Sequence, residues 1–371
     1  MIPAHLRNRI KHDDLLFKKS NESLFDLAKY NPAEYYKELT RSDYYRALVT
    51  LRHYIKLFSD YYFSFVVGAK NIDLFMLTPS ISSPMGPGSD SKPIPIKFGK
   101  FKYLVDSSQF GFEPLLLNDI NKVYCYLPSM RGEDPDERHI NQFFHCETEI
   151  VGNVEEVMVI AEEYVKYLSH ALVMMPNISR GISLNYKKSL NCLKNIMKTE
   201  KFPRITFNEA VEVLEKNGYK NMIKYTSTSR DITSVGEYKL TEILEINTPL
   251  WITNYDRDRV PFYQKPDPDN LDKTLSADLV FPPLTKDSIG GEVIGCGQRQ
   301  NNVKEMRESL RRQKINSKPY EWYIELRKHP EYQTTSGFGL GIERFIAWGL
   351  CRHDIKDVTL YPRLKNMRSY P

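Results

Sequence analysis

The 371-residue sequence predicts an α+β domain in which an antiparallel sheet is flanked by helices. Segments of strand character, "PLWITNY", "PFYQKP", "SADLVFPP" and "GGEVIGCGQR", follow one another through Pro/Asp loops, the connections of antiparallel neighbours. Two long stretches, around 44–67 and 154–175, instead carry apolar residues at helical spacing. Strands and helices are set apart rather than alternating, which favours α+β over α/β organisation.

The first forty residues are mixed and polar, so residues 1–40 read as an N-terminal extension and 41–371 as one domain. A helix is expected from Tyr44 to about Val67, stopped by Gly68, followed by a strand in "NIDLFMLTP". Residues 82–93, "SSPMGPGSDSKP", hold three Pro and two Gly and read as either a mobile loop over a site or an ordinary surface turn. Strands are expected in "KFKYLVDSS" and "KVYCYLPSMRGE", on either side of a helix from Phe110 to Asn118. The 154–175 helix leads through a Lys-rich link near 188–201 to a second helix, preceded by Asn208 and stopped by Gly218. After the later strands, a helix from about Asn302 to Lys314 and another in "GLGIERFIAWGL" complete the chain.

Composition narrows the function classes. Lys and Arg number 52 against 47 Asp and Glu, so the net charge of +5 is far from the strong basic field of a protein that lives on nucleic acid. Five cysteines without a C-x-x-C pair argue against a disulfide framework or structural zinc and for a reducing, cytoplasmic setting. No apolar run approaches the roughly 18 residues of a membrane span, and no membrane association is expected.

Three segments carry chemistry. In residues 130–149, Arg131, Glu133, Arg138 and His139 surround an acidic loop and precede Phe143 and Glu147. On paired strands, alternate residues would converge on one ligand, and guanidinium forks with an aromatic face suit a nucleotide. A solvated charged hairpin is the alternative. "SGFGLGIER" alternates Gly with bulky residues before Arg344, which lets a ligand or a neighbouring backbone approach closely. "GGEVIGCGQR" places Glu292 and Arg299 on one strand and Asp278 on its neighbour, a carboxylate pair that suits magnesium or merely marks a sheet edge.

In chain order, residues 130–149, "GGEVIGCGQR" and "SGFGLGIER" resemble motif 2, the metal strand and motif 3 of class II aminoacyl-tRNA synthetases of the aspartyl and asparaginyl branch. "PLWITNYDRDRVPFYQKPDPDN", "YEWYIELRKHPEYQTTSGFGLGIERFIAWGL" and "IKDVTLYPR" are similar to asparaginyl members, and "NIDLFMLTP" with Pro79 is similar to motif 1. The resemblance, from about Tyr44 to Arg363, implies ATP and Mg2+ as cofactors, a small amino acid as substrate and a homodimer built across motif 1. It implies that Arg131 grips the α-phosphate, Glu133 reads the adenine amino group, Arg138 and His139 take the outer phosphates, and Phe143 and Arg344 sandwich the adenine. Arg131 and Arg344 are thereby the catalytic pair, and Asp278 and Glu292 the magnesium ligands. Gln109 and Arg299 would receive the carboxylate or side-chain end of the amino acid. Glu147 stands where asparaginyl members have Glu, and Asp90 in the loop would face the amino group. Phe112 occupies the place of the lysine by which aspartyl members hold their substrate.

Only about forty residues precede motif 1, so the family's anticodon-binding domain is not expected and tRNA is not the expected acceptor. The first expectation is therefore an AMP-forming ligase related to asparagine synthetase A, passing an aspartyl or similar acyl-adenylate to ammonia or a small amine. A truncated asparaginyl-type enzyme that charges tRNA is the second, and a non-catalytic nucleotide-binding paralog the third.

Overall fold

The computed structural model describes residues 2–18, 25, 27, 31–82 and 92–370. Its main sheet has eight strands: β1 (Lys70–Asn71), β2 (Lys122–Met130), β3 (Gln142–Val151), β4 (Arg204–Thr206), β5 (Leu250–Thr253), β6 (Ser276–Phe281), β7 (Gly291–Gln298) and β8 (Thr335–Gly341). Their order in space is β1-β2-β3-β8-β7-β6-β5-β4. All pairings from β2 to β5 are antiparallel, and only the edge strands β1 and β4 join in parallel.

Helices of seven or more residues are α1 (Ala4–Leu15), α2 (Asp43–Tyr61), α3 (Val154–Val173), α4 (Pro176–Ile182), α5 (Tyr186–Lys198), α6 (Phe207–Lys216), α7 (Ser234–Ile243), α8 (Val303–Arg312) and α9 (Ile342–Gly349). Apolar faces of α2, α3 and α9 meet the sheet in one core that includes Phe63, Tyr164, Phe338 and Trp348. The opposite face of β3, β8, β7 and β6 stays open, and the site lies there. Asp14 of α1 docks the N-terminal segment on this body, accepting hydrogen bonds from the backbone of Asn177 (3.0 Å) and Ile178 (2.9 Å) at the start of α4. Among the described residues no helix is long and apolar enough to cross a membrane, and all five cysteines are free.

Several local expectations need correction. "NIDLFMLTP" is not one strand: Lys70–Asn71 pairs with β2, whereas Leu77–Thr78 pairs with Phe101–Leu104 in a separate three-stranded sheet. The chain changes sheets between them. The Lys-rich link is the helix α5, because Ser189, Leu193 and Ile196 lie buried at helical spacing behind the lysines. Thr206 rather than Asn208 caps α6, in a reciprocal box with Glu209. Helix Phe110–Asn118 shrinks to a 3-10 turn, Gln109–Gly111, and one α turn, Glu113–Leu116. In "PFYQKP" only Pro266 enters a strand, and in "GLGIERFIAWGL" the first three residues belong to β8. The helix α2 does run to Gly68, its last turn a π-helical one over Tyr62–Val67.

Candidate active site

A cavity of about 690 Å³ opens over the sheet and is lined by ten of the expected residues: Gln109, Arg131, Glu133, Arg138, His139, Glu147, Asp278, Glu292, Arg299 and Arg344. Phe143 lines a smaller adjoining cavity with Arg131, Glu133 and Arg344. Asp90 lies outside the described residues.

The alternating glycines of β8 explain how these side chains fit. In register, Gly337 faces Glu149, Gly339 faces Glu147 and Gly341 faces His145 on β3. A Cβ on Gly337 would collide with the Glu149 carboxylate and crowd Arg299, and one on Gly339 would lie 3.3 Å from Glu147. Glycine at every second position therefore leaves a floor on which long side chains can lie.

At one end of the cavity four guanidiniums gather. Arg344 donates to the Glu292 carbonyl at 3.0 Å, and Arg138 donates to the Tyr238 hydroxyl at 2.9 Å. Arg131 stands over the Phe143 ring at 5.6 Å, and Arg259 pairs with Asp231 at 2.9 Å. Asn141 ties the turn between β2 and β3, donating to the carbonyls of Arg131 and Glu133 at 2.8 Å each. Burial, reinforced by Arg138 and Arg131, pushes Arg344 below the usual guanidinium value. The Nε of Arg131 and one carboxylate oxygen of Glu133 are buried with no hydrogen-bond partner among the described residues. Such a cluster is built to take an anion. His139 is less available than expected, since its Nδ1 is held by Asp136 at 2.8 Å.

The other end is closed by internal pairing. Arg299 donates from Nε (2.9 Å) and Nη2 (2.8 Å) to Glu149, both side chains fully buried, with Tyr263 beneath the guanidinium. Glu147 accepts from the Ser108 backbone at 2.6 Å and lies 3.2 Å from His145 Nδ1. Burial pushes Glu147 upward, but His145 and the hydrogen bonds from Ser108 and Ser107 hold it below the ordinary carboxylate range. Gln109 presents an unpaired buried amide nitrogen, and Phe112 lines the wall.

Asp278 and Glu292 reach one side of the sheet because of a bulge. Asp278 pairs with Gly295 and Val280 with Glu292, so Val293 is an extra residue that turns Glu292 toward the cavity. Both carboxylates approach the same point above Gly295, at 3.5 and 3.3 Å from an ideal Cβ there. Burial and then Glu292 push Asp278 well up, whereas Arg344, Arg131, Arg138 and Arg259 outweigh burial and keep Glu292 low. Two crowded carboxylates with no third His, Cys, Asp or Glu in a complete cage among the described residues fit magnesium, which takes a few carboxylates plus phosphate oxygens.

Glu149, His145 and Glu237 were not singled out from sequence. The first two continue the period of two that runs from Phe143 to Glu147, a signal present in the residues. Glu237 of α7 accepts from the Glu292 backbone at 3.0 Å and comes from 55 residues away, where no local pattern marks it.

Residues 41–365 match the family described as tRNA synthetases class II (D, K and N). Asparagine–tRNA ligases of Thermococcus gammatolerans and Pyrococcus abyssi are each 32% identical, over 276 and 281 residues. Either alignment takes in 74% of this chain and 60% or 59% of the relative, so the chain spans about 60% of the length of these relatives. The asparaginyl-tRNA synthetase of Pyrococcus horikoshii, solved with asparaginyl-adenylate, superposes with a TM-score of 0.77 at 26% identity, covering 91% of this chain and 72% of that one. The sheet, the glycine floor and the ordered charged segments agree with these likenesses, and the chain belongs to the class II tRNA synthetases of the D, K and N group.

Proposed function

We propose that this protein activates asparagine with ATP as asparaginyl-adenylate and transfers the acyl group to a hydroxyl of a tRNA-type acceptor. The observation that carries the reading is the pairing of opposite charges at the closed end: Arg299 as a donor and Glu147 as an acceptor suit the two halves of a carboxamide. Aspartate in the same pose would set its carboxylate against Glu147, with Phe112 in place of a cation. The relatives, which are asparagine–tRNA ligases, support the same choice and shift the acceptor away from ammonia or a small amine, the first expectation from sequence.

In this reading the substrate carboxylate attacks the α-phosphorus and pyrophosphate leaves. Arg131 and Arg344 neutralise the charge that develops on the phosphate, Arg138 and His139 face the leaving pyrophosphate, and Glu133 and Phe143 hold the adenine. Asp278 and Glu292 would hold magnesium, which supplies charge neutralisation for the phosphates when bound. Positioning accounts for most of the remainder. In this reading residues 41–371 are the catalytic unit and residues 1–40 an N-terminal extension, and the free thiols suit a reducing cytoplasm. Val49, Phe65, Val66 and Phe75 expose apolar surface on and just beyond α2, which supports a two-fold dimer there. A sedimentation mass near twice 43.4 kDa is expected, and a monomer at micromolar concentration would contradict it.

The function is tested by incubating the protein with ATP, labelled asparagine and total tRNA. Label in base-labile aminoacyl-tRNA is expected. Asparagine formed from aspartate and ammonia, with no charged tRNA, would return the reading to an amide ligase.

A further inference from the structure

We infer that His145, oriented by Glu147, is the base that receives the acceptor's proton when the acyl group leaves the adenylate. The inference rests on the adenylate chemistry proposed above and adds the proton acceptor of its second step.

Position comes first. Phe143, His145 and Glu147 alternate along β3 and share one face, so His145 stands between the two ends of the cavity, where the proposed adenylate would have its acyl–phosphate junction. Its side chain lines both the main cavity and the adjoining one. Gly341 pairs with it in register, and the Arg344 side chain packs over that glycine, so His145 neighbours the guanidinium cluster.

Orientation comes second. His145 Nδ1 lies 3.2 Å from Glu147 Oε1 and 2.9 Å from Ser129 Oγ, and the ring stands edge-on to Phe143 at 4.8 Å and 87°. A carboxylate at one ring nitrogen places the proton there and leaves the other nitrogen as an acceptor, the arrangement by which a base is aimed at a nucleophile. Nε2 makes no hydrogen bond to another described residue. Glu147 is itself fixed by the Ser108 backbone, so the dyad is anchored at its far end.

The step balances as follows. An oxygen or nitrogen lone pair of the acceptor attacks the acyl carbon, and the new C–O or C–N bond forms. The bond from that carbon to the phosphate oxygen breaks, and AMP leaves with its electron pair. The acceptor's proton passes to Nε2, giving an imidazolium that Glu147 stabilises. Activation needs no such transfer, because a carboxylate attacks and pyrophosphate departs, so His145 acts on one half-reaction.

The experiment compares ATP–pyrophosphate exchange with single-turnover transfer from the enzyme-bound adenylate, for the wild type and His145→Gln. Transfer to tRNA, or to ammonia if that is the acceptor, should fall at least about 100-fold further than exchange. Hydroxylamine, already unprotonated at neutral pH, should react with the variant's adenylate within a few-fold of the wild-type rate. Equal losses in exchange and transfer, or an equal deficit with hydroxylamine, would overturn the base role. A wild type without exchange would instead overturn the proposed function.

Discussion

The two ends of the cavity handle charge in opposite ways. At the open end, Arg131, Arg138, Arg259 and Arg344 converge, and their contacts within the protein include a backbone carbonyl, a tyrosine hydroxyl, an aromatic face, one aspartate and, 3.7 Å from Arg344, the Glu292 carboxylate. Burial and the neighbouring guanidiniums weaken the hold of Arg344 on its proton. At the closed end, burial also disfavours the charge on Arg299, but the bidentate Glu149 carboxylate more than reverses this and raises it well above the guanidinium norm. One end is built before the ligand arrives. The other gathers four guanidiniums around the Glu292 carboxylate, an excess of positive charge that a polyphosphate would complete.

Mutations should therefore separate stability from activity differently at the two ends. The largest stability effect is expected for Glu149→Gln, which leaves the buried Arg299 without its anion and should cost about 3–5 kcal/mol in urea unfolding. Arg344→Ala should lower pyrophosphate exchange about 100- to 1,000-fold, the scale for losing one preorganised donor, with Tm unchanged or slightly raised. If Arg344→Ala destabilised the protein as much as Glu149→Gln, the contrast between the ends would fail.

A subtler test uses the floor. A methyl at Gly339 would stand 3.3 Å from Glu147, tight enough to displace that carboxylate by a few tenths of an ångström. Gly339→Ala should raise the KM for the amino acid about 10-fold while changing the KM for ATP less than about 2-fold. Equal changes in both would place Gly339 under the nucleotide.

The smallest expected effect concerns pH. Burial pushes Glu237 up to about 7 from 4.5, with Arg138 offsetting only part of it. Between these values the folded protein holds a proton that the unfolded chain has released. Stability from this group is thus fully present below pH 4.5 and is lost as pH rises through about 7. Asp278 acts in the same direction. Glu237→Gln should flatten the pH dependence of unfolding free energy between about pH 4.5 and 7 by at most about 1.4 kcal/mol per pH unit. An unchanged slope would show that Glu237 does not titrate there.

The same contrast explains how much was legible in the sequence. Arg131, Glu133, Phe143 and Arg344 stand in compact motifs, and the structure gathers them at one end. The antiparallel sheet was legible from strand character and short loops. Glu149 was not, because its meaning depends on Arg299, 150 residues away, and on Gly337 leaving room between them. His145 was passed over between two residues with clearer roles. Glu292 was found as a carboxylate, but the bulge that aims it depends on pairing register, which no single strand displays. The sheet change within 70–78 was hidden for the same reason, and the helix α5 because lysines on its exposed face masked the period of its buried one.

The proposed function requires the closed end to recognise a carboxamide and the open end a nucleotide. ATP–pyrophosphate exchange, measured with asparagine and aspartate each in turn, tests it most directly. Exchange should depend on asparagine, with kcat/KM at least about 100-fold above that for aspartate, since a site with polar partners discriminates strongly when one is mismatched. Exchange driven by aspartate equally or better would contradict the assignment of Glu147 and Arg299 to a side-chain amide.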